Sequence, residues 1–139
     1  MEQLIANIVS RVGIDEGMAR TAVGIIMNMF SKNASGDAMS ALKSAMPGIE
    51  GAMAEAEAAP EVAGGGGGLM GGLGGMLAGA LGGGDNPIMG ALAQLQGQGL
   101  SIDQAKQVGQ EVASYTREQA GEDTFKQITS SIPGLDQLL

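Results

Sequence analysis

The chain has 139 residues, a net charge of −8, no Cys and no His. Those two absences exclude a disulfide framework, a thiolate nucleophile, an imidazole base and a Cys/His zinc site within these residues. Phe30, Tyr115 and Phe125 are the aromatic residues, so a core must be built from aliphatic side chains, Ala and the ten Met; that inventory suits close helix packing better than a sheet.

In chain order, residues 2–12 carry an interrupted apolar pattern with a polar start, Glu2-Gln3, and no basic stretch. This reads as a helix and not as a leader, and the expected location is the cytoplasm. Gly13 is suited to the positive φ that closes such a helix. Asp15 stands where an N-cap belongs for the next helix, 16–33. That helix holds Ala22-Val23-Gly24-Ile25-Ile26-Met27-Asn28-Met29-Phe30, apolar on nearly every side, as in helices buried on several faces. Val23, Ile25, Ile26, Met27, Met29 and Phe30 are the candidate partner or inter-unit surface, with burial between units the preferred reading and a Met-rich docking surface the sharper one. Asp37 is expected to cap a third helix, 38–46, which Pro47 ends because proline has no amide donor and clashes with the preceding turn. The Ala/Glu stretch after it, with Glu55, Glu57 and Glu61 before and after Pro60, reads as a solvated helix end. A spacing of two turns Glu55 and Glu57 to different helix faces, so they form no convergent acid pair.

Residues 64–84 carry no charge and hold 13 of the 25 glycines. Within them Leu69, Leu73, Leu77 and Leu81 recur every four residues, the spacing of a helix face. Each glycine costs about 1 kcal/mol relative to Ala in a helix, so a helix over 69–81 requires packing against something. The competing readings are a mobile linker, a glycine-faced helix on the protein's own core, and association with a membrane or a second copy through small residues spaced by four. The apolar part is short of the ~20 residues a spanning helix needs. The G-x-G-x-x-G match in Gly66–Gly71 is nearly automatic in such a run, with no strand before it and no Gly-Lys-Ser/Thr after it; no nucleotide cofactor is expected.

Asn86-Pro87 is a cap followed by a good first helical residue, and from there the pattern repeats. A shift of 86 residues aligns Gly13 with Gly99, Asp15 with Ser101, Ala19 with Ala105, Ala34 with Ala120, Asp37 with Asp123 and Pro47-Gly48 with Pro133-Gly134. The second set of helices is therefore placed at 87–98, 102–119 and 124–131. Here the middle helix has one apolar stripe, Ala105, Val108, Val112 and Ala113, against a wet face of Gln107, Gln110, Glu111, Ser114 and Glu118. Glu118, Glu122 and Asp123 lack the spacing and accessory ligands of a calcium loop, and Lys43 and Lys126 read as surface residues. No residue is assigned to catalysis, and no metal is expected.

The expected fold is all-α. It consists of two pseudo-repeated three-helix units, 1–62 and 87–139, packed into one bundle about an approximate two-fold axis and joined by the Gly/Leu-rich segment 63–86. Each unit alone is marginal in size, so 1–139 is expected to form one compact domain; exchange or pairing of units between chains is the alternative. The matched residues, Gly-[Ile/Leu]-[Asp/Ser]-x-x-x-Ala, an apolar helix, then apolar-Pro-Gly-[Ile/Leu]-[Glu/Asp], resemble the VcgC/VcgE-like family of uncharacterised bacterial proteins. The Gly/Leu-rich middle is similar to that of the YidB-like family. The resemblance implies a helical bacterial protein and lends no activity, cofactor or binding residue.

Seven scattered basic residues form no positive stripe, which excludes a nucleic-acid partner. The expected function is a non-catalytic helical interaction or assembly module, with a protein partner or a second copy. A binder of a small apolar molecule or lipid in a Met/Leu/Gly-lined cavity is the second reading. An enzyme relying on carboxylates alone is the third.

Overall fold

The computed structural model describes residues 1–58, 87–132 and Leu135. Among these, the regular structure is seven α-helices and no strand: α1 (Glu2–Val12), α2 (Glu16–Asn33), α3 (Gly36–Ala45), α4 (Ile49–Ala58), α5 (Pro87–Gly97), α6 (Ile102–Ala120) and α7 (Glu122–Ser131). The glycine-rich stretch, its expected helix over 69–81, the Asn86 cap and Pro133-Gly134 lie outside the described residues.

The helix ends follow from local chemistry. α1 stops at Gly13, whose φ of 75° lets its amide turn back to donate to the Val9 carbonyl at 3.1 Å. α5 ends in a Schellman motif: the Gly99 amide donates to Gln96 O (2.9 Å) and the Leu100 amide to Leu95 O (3.1 Å). Gly99 stands at φ 94° and Leu95 and Leu100 are both buried, the apolar pairing that accompanies the motif. α2 starts at Asp15, whose carboxylate accepts from the Met18 amide at 2.9 Å. α6 starts at Ser101 with a full capping box, the Gln104 amide donating to Ser101 Oγ (3.2 Å) and the Ser101 amide to Gln104 Oε1 (3.0 Å).

Two expectations at the third helices are corrected. The cap of α3 is Ser35, accepting from the Ala38 amide, and α7 begins at Gly121 without a side-chain cap. Asp37 and Asp123 therefore lie inside the first turns, where a negative charge meets the positive end of the helix dipole. The helices start two residues earlier than expected because Ser35 and Gly121 already supply the non-helical φ/ψ an N-cap needs. A further correction concerns 49–58: a complete ten-residue helix, α4, stands where only a solvated helix end is expected. The turn that separates it from α3 is Met46-Pro47-Gly48, with Gly48 at φ 96°.

The core is continuous across the chain. Leu4, Ile8, Val23, Met27, Leu42, Met46, Val108, Val112, Ile128 and Ile132 are fully buried within one apolar cluster. α1 packs on α6 and on α2; α5 packs on α2 and on α6; α2 and α6 touch each other; α3 packs on α6 and α7, and α7 on α2. The most extensive pairing among the described helices is α2 with α4. Between distant parts of the chain, Arg11 pairs with Glu111 at 2.8 Å and the Met1 ammonium donates to Tyr115 Oη at 3.0 Å. The buried Thr116 is satisfied locally, its hydroxyl donating to Val112 O at 2.7 Å, and Arg117 lies over the Phe125 ring at 4.8 Å, tying α6 to α7. No described helix is long and apolar enough to cross a membrane.

Candidate functional site

Of the six residues singled out on α2, Val23, Ile25, Ile26, Met27 and Phe30 are buried and Met29 is half-buried. A helix apolar on every side needs neighbours on every side, and α2 has them in α1, α4, α5, α6 and α7. The six residues thus lie within the packing between helices, and the accessible features of this region are at its edge, where α4 crosses.

The crossing is built around residues without bulk. A β-carbon added at Gly24 would collide with the Ala52 carbonyl oxygen and would stand 2.6 Å from Ala56 Cβ. Only glycine allows the two backbones this close. One turn further along α2, the Asn28 side-chain amide donates to Met53 O at 3.2 Å. One turn earlier, Arg20 pairs with Glu16 at 2.9 Å and reaches Glu55 of α4 at 4.0 Å. Gly24, Asn28 and Arg20, at i, i+4 and i−4, form one face of α2, and it is a seat for a helix carrying Ala at two positions four apart. Gly24 and Asn28 interrupt an otherwise unbroken apolar run, and that interruption is the signal the sequence offers for a close helix approach.

Beside the seat lies a cavity of about 610 Å³, bordered by Met1, by Glu2, Gln3 and Ile5 of α1, Arg20 of α2, Pro47 and Gly48 of the turn, Gly51, Ala52 and Glu55 of α4, and Tyr115 of α6. Its polar groups are of both signs and partly engaged with each other: Tyr115 Oη accepts from the Met1 ammonium, and Arg20 is held between Glu16 and Glu55. This is not the Met/Leu/Gly-lined space an apolar ligand would choose.

The remaining candidates are solvated. Glu55 and Glu57 are both exposed. Lys43 pairs with Glu50 at 2.9 Å and Lys126 with Glu122 at 3.1 Å, all four largely exposed. Among the described residues, no three of the Asp and Glu side chains converge as a metal site would require. Comparisons with protein-family models, with curated proteins and with solved structures return no match for this chain.

Proposed function

We propose that this chain is a non-catalytic helical assembly module of the bacterial VcgC/VcgE-like kind, made of two pseudo-repeated units. The observation that carries this reading is the reciprocity of the packing. α1 packs on α6 while α5 packs on α2; α3 packs on α6 while α7 packs on α2; α2 packs on α6 and α3 on α7. Pairings in which i meets j′ and j meets i′ are the signature of an isologous, two-fold interface. Helix limits support the same assignment: moving 16–33 and 36–45 by 86 residues gives 102–119 and 122–131, against α6 at Ile102–Ala120 and α7 at Glu122–Ser131.

Such a fold spends its apolar surface on helix-to-helix recognition, so the chemistry it offers is docking: a protein partner or a second copy, held by apolar faces and small residues. The chain-wide acidity works against phosphate backbones and against indiscriminate association. The test is reconstitution. Tagged chain is used to capture companions, each candidate is purified, and complex mass is measured from the two pure components. A defined stoichiometric complex, with another protein or with itself, is the expected result. A strictly monomeric chain that binds no purified candidate, yet carries extra mass in native mass spectrometry, would replace this reading with the apolar-ligand one.

A further inference from the structure

We draw no further inference here: the strongest candidate, the cavity between the first turns of α1 and α4 with Arg20, Glu55 and Tyr115 on its border, carries none, because its charged side chains are exposed, Arg20 already pairs with Glu16 and reaches Glu55, and nothing in the structure points to an occupant.

Discussion

α2 and α6 are the two longest of the described helices, begin at caps 86 residues apart and touch each other, yet they treat water differently. On α2, positions 22–27 are all buried. On α6, Ala105, Val108, Val112, Ala113 and Thr116 are buried, while Gln107, Gln110 and Ser114 are exposed. The difference tracks one neighbour. α4 covers the face of α2 that includes Gly24 and Asn28; the positions 86 residues on, Gln110 and Ser114, are in water. A side chain's burial is therefore set by what the chain lays over it, and two helices of nearly the same length, begun at Asp15 and Ser101, differ in composition where α4 covers one of them.

The comparison can be broken most severely by exchanging its charges. Ile25 is 5% exposed, and Ile25→Glu places there the residue found 86 positions later, leaving a buried carboxylate without a partner. About 3 kcal/mol or more of stability should be lost, read as a lower urea midpoint or outright unfolding. The converse, Glu111→Ile, sacrifices a pair whose arginine is largely exposed and should stay within about 1 kcal/mol of the parent. Equal costs would mean the two faces do not differ as described.

Glycines sharpen the contrast because the effects have opposite signs. Gly24→Ala should destabilise by about 1–3 kcal/mol, overpacking against α4 outweighing the gain in helix propensity. Gly109→Ala on α6, where an added β-carbon meets nothing within 4 Å, should stabilise by about 0.5–1 kcal/mol. Thermal melts of both variants decide it. Where the helices are alike, so should their responses be: Asp15→Ala and Ser101→Ala should each cost about 1 kcal/mol, the worth of an N-cap. The smallest effect belongs to Arg11→Ala, which should cost no more than about 1 kcal/mol and less still in high salt.

Much of this was legible in the residues. Gly13 and Gly99 required positive φ and have it; Asp15 and Ser101 lay in the N-cap position and accept the expected amides. Asp37 and Asp123 misled because Asp is favoured both as a cap and in the first turn, and only the backbone at Ser35 and Gly121 separates the two roles. α4 was hidden for a related reason. Its sequence, IEGAMAEAEA, has a weak apolar stripe and reads as a soluble end, because the part of its face laid on Gly24 is Ala52 and Ala56. Small residues give little hydrophobic signal, yet they permit the closest approach to Gly24. Gly24 gave only a partial signal: its place with Asn28 in an apolar run hints at a close approach, but a helical glycine has the same spelling whether it meets a backbone or open space, as Gly109 shows.

The sequence by itself determined what is local: an all-helical chain, the capping residues that start its long helices, and the glycines that close the helices before them. Backbone φ/ψ preferences and the hydrogen-bonding needs of helix ends act over a few residues, so they can be read there. Tertiary structure alone decided which helix covers α2, why Gly24 has no side chain, and how α1 and α5 each come to pack across onto the opposite long helix. Those outcomes depend on distances between residues far apart in the chain, and on apolar surface being removed from water only where two faces of matching shape meet.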